Sequence, residues 1–215
     1  MKLEKRSCNI SVKLKPSGSY VLAVDFDFYG EKLSFAPSAA MGAQFKEFIS
    51  ALYFLYKEEP EDGNHDYHDE YDEREYHCLP DSNIIDEIIA TVDWDEEGSD
   101  VSFKMSRKIN NSNEKDIITI KISTDYWESY REFKVDGRDF CYAVAKGCTE
   151  VLKKFGFYGY KYSTESDYFI IHQLLFIKAY ALGNMESRKL YNLEGRFGSC
   201  KSNFEKELEL LLFDM

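Results

Sequence analysis

From Cys8 to Lys15 the chain alternates without a break. Cys8, Ile10, Val12 and Leu14 fall on one side; Asn9, Ser11, Lys13 and Lys15 fall on the other. Successive side chains of a strand point to opposite faces, so the pattern describes a half-buried strand. After the turn Pro16-Ser17-Gly18-Ser19 the alternation resumes from Tyr20 to Tyr29, with Tyr20, Leu22, Val24, Phe26 and Phe28 inward. Gly30 turns the chain into a third short strand, Leu33 to Phe35. The same period returns in four further runs. These are Ile88, Ala90, Val92 and Trp94; Val101, Phe103, Met105 and Ile109; Ile118, Ile120 and Ile122; and Phe133 with Val135. The connections between them are hairpin-length, which argues for antiparallel pairing.

Elsewhere the apolar period is that of a helix. Pro37-Ser38, with Ser38 as N-cap, opens a stripe of Met41, Phe45, Phe48, Ile49, Leu52 and Tyr56 that ends near Lys57. Asp136 is placed to cap a second helix carrying Phe140, Val144, Cys148, Val151, Leu152 and Phe155. Gly156 stands where such a helix stops, and Gly156-Phe157-Tyr158-Gly159-Tyr160 reads as an aromatic turn. Thr164 and Asp167 have capping-box spacing before a buried helix within Tyr168 to Leu182, with His172 as a hydrogen-bonded core histidine. Ser202 and Glu205 repeat that spacing before a last helix that turns Phe204, Leu208, Leu211 and Leu212 inward. Strands neighbour strands rather than alternating with helices. The expected class is therefore α+β, an antiparallel sheet with amphipathic helices packed on one face.

Residues 24 to 35 and 92 to 103 match in place at Val, both Asp, Gly, Ser and Phe, and in kind at Phe26 with Trp94 and Leu33 with Val101. Either a strand-strand-helix unit has been duplicated around a pseudo-two-fold axis, or two amphipathic hairpins have converged. The organisation expected is one α+β domain over 1–215, long enough for a substantial core. Its repeat halves would be 8–57 and 88–156, joined by an acidic loop 58–81 and followed by C-terminal helices 165–215.

The formal charge of −12 repels phosphate backbones and anionic bilayers, so neither nucleic acid nor membrane is an expected partner. A basic protein is favoured instead, unless the acidity serves solubility alone. The five cysteines, Cys8, Cys78, Cys141, Cys148 and Cys200, form no CxxC pair. Cys141 and Cys148 sit about two turns apart on one helix, roughly 10 Å of rise, too far for a disulfide. Reduced thiols and the lack of an apolar run behind Met1 point to the cytoplasm.

Asp25 and Asp27, like Asp93 and Asp95, lie two apart on a strand and share a face, the arrangement of a metal-holding DxD pair or of a solvated strand face. His65, His68, His77 and Cys78 supply zinc-ligand types without the spacing of a known finger or HExxH site. No GxSxG, GxxxxGK[ST] or GxGxxG occurs. No cofactor and no catalytic residue is therefore assigned.

The most unusual stretch runs from Glu58 to Glu75, with ten acids and the single base Arg74. Its acids are Glu58, Glu59, Glu61, Asp62, Asp66, Asp69, Glu70, Asp72, Glu73 and Glu75, interleaved with Tyr56, Tyr67, Tyr71 and Tyr76. A second acidic stretch contains Asp93, Asp95, Glu96 and Glu97. Tyrosine offers contact area at small entropic cost and carboxylates steer in a cationic partner, so these residues form the candidate partner-binding surface.

Val92-Asp93-Trp94-Asp95-Glu96-Glu97-Gly98, Phe133-Lys134-Val135-Asp136, the helix Phe140 to Phe155 and the Gly156 to Tyr160 segment together resemble small acidic bacterial immunity proteins. These are the antitoxin partners of polymorphic and contact-dependent toxins. The resemblance covers residues 88 to 182 and rests on arrangement rather than a diagnostic motif. It implies stoichiometric blocking of a basic toxin domain without enzymatic activity. The alternatives are a metal-dependent enzyme using the DxD or histidine residues, and an oligomerising scaffold held through the C-terminal Leu-rich helix.

Overall fold

The computed structural model describes residues 8–17, 21–36, 44–56, 75–78, 85–95, 100–109, 115–164, 171–183 and 204–215. The fold is α+β, and its strands form two antiparallel sheets where alternation alone suggested one. The first sheet runs β1 (Ile10–Ser17), β2 (Val21–Phe28), β3 (Glu31–Phe35). The second runs β4 (Glu75–Cys78), β5 (Ile85–Asp95), β6 (Asp100–Lys108), β7 (Ile117–Thr124), β8 (Arg131–Asp136). Pro16 and Ser17, expected in a turn, extend β1 and pair with Leu22 and Val21. Proline is tolerated there because β1 is an edge strand, where a missing N–H breaks no ladder. Tyr29 and Gly30 link the paired residues Phe28 and Glu31 with φ of 56° and 99°. Two consecutive positive φ values make the tight turn whose twist matches the flanking strands.

Among the described residues four helices follow from the apolar stripes: α1 (Gln44–Phe54), α2 (Gly137–Thr164), α3 (Ile171–Ala181) and α4 (Phe204–Leu212). Asp136 caps α2 as its position implies, accepting the Asp139 amide at 3.0 Å. The stop expected at Gly156 does not occur. The helix continues through Gly156 to Tyr160 and ends at Thr164, so that segment is not a turn and Thr164 does not cap the next helix. A glycine costs a helix interior only about 1 kcal/mol, too little to end one held elsewhere by packing. Ser38, Asp167 and Ser202 lie outside the described residues.

The helices meet the sheets crosswise. α1, from the first half of the chain, leans on β5 of the second sheet; α2, from the second half, lies along β1 and β2 of the first. α3 covers α1 and α2, and α4 rests on α3. Gly147 permits the close approach of α2 to β1: a Cβ there would lie 2.5 Å from the Val12 carbonyl oxygen.

An aromatic layer joins the two sheets. Phe103, fully buried, has its ring 5.8 Å from Phe26, 5.4 Å from Phe35, 5.4 Å from Phe48 and 4.4 Å from Trp94. The two similar segments pair in the same register: Val24 with Phe35, Asp25 with Ser34 and Phe26 with Leu33; then Val92 with Phe103, Asp93 with Ser102 and Trp94 with Val101. Their contacts are also reciprocal. Phe26 meets Phe103 as Trp94 meets Phe35, at 5.8 and 6.3 Å, and the equivalent residues Phe35 and Phe103 meet each other. Such mutual contacts are those that a two-fold relation between the hairpins requires.

Several expected inward positions differ. Ile109 lies just past β6 and is exposed. In α4, Leu210 is the buried residue, facing Leu175 and Ala179, while Leu208 is partly exposed and Leu212 is open to solvent. His172 is exposed at the start of α3 rather than in the core, with its ring edge-on to Tyr53 at 6.1 Å. The rest of α3 is buried on all sides, as a helix apolar all round must be. Among the described residues no helix is long and apolar enough to cross a membrane.

Candidate functional site

Strand pairing decides where the acidic stretches meet the fold. Glu75 opens β4 opposite Ile89 of β5. Asp93 lies further along β5, exposed, opposite Ser102, and makes no ion pair among the described residues. Asp95 ends β5 opposite Asp100. At about 3.3 Å per residue, Asp93 lies about 13 Å along the strand from the point where Glu75 joins the sheet. The chain thus enters β4 beside the strand that carries Asp93 and Asp95. Glu58, Glu59, Glu61, Asp62, Asp66, Tyr67, Asp69, Glu70, Tyr71, Asp72, Glu73, Glu96 and Glu97 lie outside the described residues.

The DxD pair of β2 is engaged by the protein itself. Asp25 takes an ion pair from Lys15 and a hydrogen bond from the Ser34 hydroxyl at 2.7 Å, and these hold its carboxyl below the usual range. Asp27 accepts the Gly30 amide at 2.8 Å and so braces the β2–β3 turn. Of the histidine group, His77 and Cys78 belong to β4, paired with Glu87 and Ile85, and His65 and His68 lie outside the described residues. Among the described residues no three His, Cys, Asp or Glu side chains converge as a metal site would need.

Three polar arrangements had no signal in the linear pattern. The first centres on Asp116, just before β7. Its carboxylate accepts the Tyr56 hydroxyl at 2.9 Å, the Tyr180 hydroxyl, and Arg107 Nε at 2.8 Å. Arg107 also donates to the Leu55 carbonyl at 3.2 Å, and its guanidinium lies 4.5 Å from the centre of the Tyr56 ring. The Asp116 carbonyl accepts the first amide of α2, from Gly137, at 2.8 Å. A Cβ at Gly137 would lie 2.0 Å from the Tyr56 hydroxyl. Burial, with nearby Cys141 and Asp116, raises both phenol pKa values. These are protonated donors locked onto one shared carboxylate, an arrangement that fixes structure.

The second is Lys178, buried in α3. Its ammonium donates to the carbonyls of Phe213 at 2.8 Å and Leu211 at 3.4 Å and to the Thr149 hydroxyl at 3.3 Å. A cation is thereby held at the negative end of α4. Burial, reinforced by Lys153, still lowers its pKa from 10.5 to about 8. A buried amine that releases its proton more readily when folded destabilises the fold most when charged, so its cost falls as pH rises from about 8 to 10.5. The buried Cys148 thiol, pushed up by desolvation, acts in the opposite sense above about 9; Lys178 eases that rise, so the variant feels it no less than wild type. Urea unfolding across that window is expected to show wild type gaining stability relative to Lys178→Met as pH rises. A pH-independent difference would refute the assignment.

The third is a cleft of about 600 Å³ on the polar face of the second sheet, lined by Thr91, Ser102, Lys104, Lys121, Ser123, Trp127, Glu128, Ser129 and Tyr130. The strand residues are the outward halves of the alternation in β5, β6 and β7; the others come from the β7–β8 loop. Lys121 lies 3.5 Å from Glu132 and 5.0 Å from the Tyr130 ring centre, and Arg131 lies 5.5 Å from that of Trp127. Cross-strand register is what groups the outward lysines with the Trp127–Tyr130 loop. Comparison with known proteins gives no family to join: no family model matches the chain, and no curated protein and no solved structure matches it either.

Proposed function

We propose that this chain is a non-enzymatic binding protein that captures a basic protein partner on the acidic end of its second sheet. Stoichiometric blocking of a toxin domain in the bacterial cytoplasm, as an immunity protein does it, is the form of that function that the resemblance to small acidic immunity proteins implies. One observation carries the reading: Asp93 stands exposed without an ion pair among the described residues, on the strand beside which the acidic stretch ending at Glu75 joins the sheet. The net charge of −12 adds a long-range field of the same sign. Such a field speeds encounter with a cation and fades with salt, whereas the contact pairs set the lifetime of the complex.

Affinity capture from the native host, followed by binding kinetics on the captured protein, tests this. The expected partner is basic, binds one to one, and associates at least tenfold more slowly in high salt. Neutralising Asp93, Asp95, Glu96 and Glu97 together to Asn and Gln is expected to slow association to a similar degree. Capture of no basic protein, or association indifferent to both salt and the substitutions, would remove the proposal.

A further inference from the structure

The cleft on the polar face of the second sheet has two lysines on its floor, within an acidic protein, and Asp93 flanks it opposite Ser102. Lys104 and Lys121 are directly opposite each other on β6 and β7. Like charges in opposed cross-strand positions destabilise a sheet. Lys121 is offset by Glu132, but Lys104 makes no ion pair among the described residues. Ser102 and Ser123, also directly opposite each other, continue the floor with hydroxyls. Trp127 and Tyr130 form the wall, and Glu128 adds a carboxylate acceptor at the rim.

We propose that this cleft is a binding site for an anionic carbohydrate, a uronate-bearing disaccharide or one of similar size. The chemistry of each part of the site fits such a ligand. Its carboxylate offsets the Lys104–Lys121 repulsion. The C–H-rich faces of its rings lie against Trp127 and Tyr130, on the ring faces that Arg131 and Lys121 do not cover. Its hydroxyls exchange hydrogen bonds with Ser102, Ser123 and Glu128. A volume of about 600 Å³ lies within the usual range for small-ligand sites. An acidic peptide fits less well, because an extended peptide binds a sheet by pairing with an edge strand, and this cleft lies over the central strands.

Calorimetric titration of the full chain with digalacturonate tests the proposal, with maltose, inorganic phosphate and a tetraglutamate peptide as parallel probes. Digalacturonate is expected to bind saturably and to change the emission of Trp127, and maltose is expected to give no saturable signal. Lys104→Gln, which relieves the cross-strand repulsion and should melt no lower than wild type, is expected to weaken binding at least tenfold, and Trp127→Phe to weaken it and remove the emission change. Absence of saturable digalacturonate binding would overturn the proposal, as would binding unchanged in Lys104→Gln. Phosphate binding as tightly as digalacturonate would reduce the site to a general anion site, and tighter binding of tetraglutamate would make it a peptide site; either result also overturns it.

Discussion

Asp116→Ala is expected to lower the stability of the folded chain by about 4 kcal/mol, measured as a fall in the urea midpoint. The substitution removes the acceptor shared by Tyr56, Tyr180 and Arg107. A buried donor left without its acceptor costs about 1–3 kcal/mol. Three such donors would sum to about 3–9 kcal/mol if all were sealed from water, but the Arg107 and Asp116 side chains are 21% and 23% exposed, and solvent recovers part of the loss. Asp116→Asn keeps one carbonyl acceptor and is expected to lose about half as much. Tyr180→Phe should cost less in the Asp116→Ala background than in wild type, because groups that share a partner are not additive. A loss below about 1 kcal/mol for Asp116→Ala, or full additivity with Tyr180→Phe, would show that these contacts do not act as a unit. The cluster ties together residues just after α1 and just before β7 with β6, α3 and the start of α2. Its removal should therefore speed local opening where those elements converge, which hydrogen exchange would detect.

Phe103→Ala is expected to cost a similar amount, about 4 kcal/mol, in the range found when a buried aromatic is cut back in a packed core. Phe103 is completely buried and meets rings from both sheets and from α1. Neither sheet can close over the gap without pulling away from the other, so the cavity should collapse little. Trp94, whose ring centre lies 4.4 Å from that of Phe103, reports the change directly, and its emission should shift to the red. Because one apolar cluster runs through both sheets and through α1, α2 and α3, the variant is expected to unfold in a single transition with an unchanged denaturant slope. Two separate transitions would mean that the sheets are held by independent cores. The Lys178→Met comparison complements these two substitutions: it probes a charge rather than packing, and its signature is a dependence on pH.

The α+β class and most of the strands were legible in the sequence, because a strand's period of two and a helix's period near 3.6 are written within each element. Ile118, Ile120 and Ile122 needed no partner to declare their face, and Asp136 needed none to mark the start of α2. Pairing order and convergence were not legible, because they depend on residues far apart in the chain. Nothing near Gly156 reveals that packing will carry α2 past it. Alternation gives each strand a buried side but not a neighbour, so two sheets looked like one. Asp116, Tyr56, Arg107 and Tyr180 come from four separate stretches, and Lys104 with Lys121 became a pair only through the β6–β7 register. The sequence determined which face of most segments avoids water, α4 excepted, since that preference belongs to each side chain. The tertiary structure alone decided which polar groups share a site, because register and helix packing bring distant residues within a few ångströms.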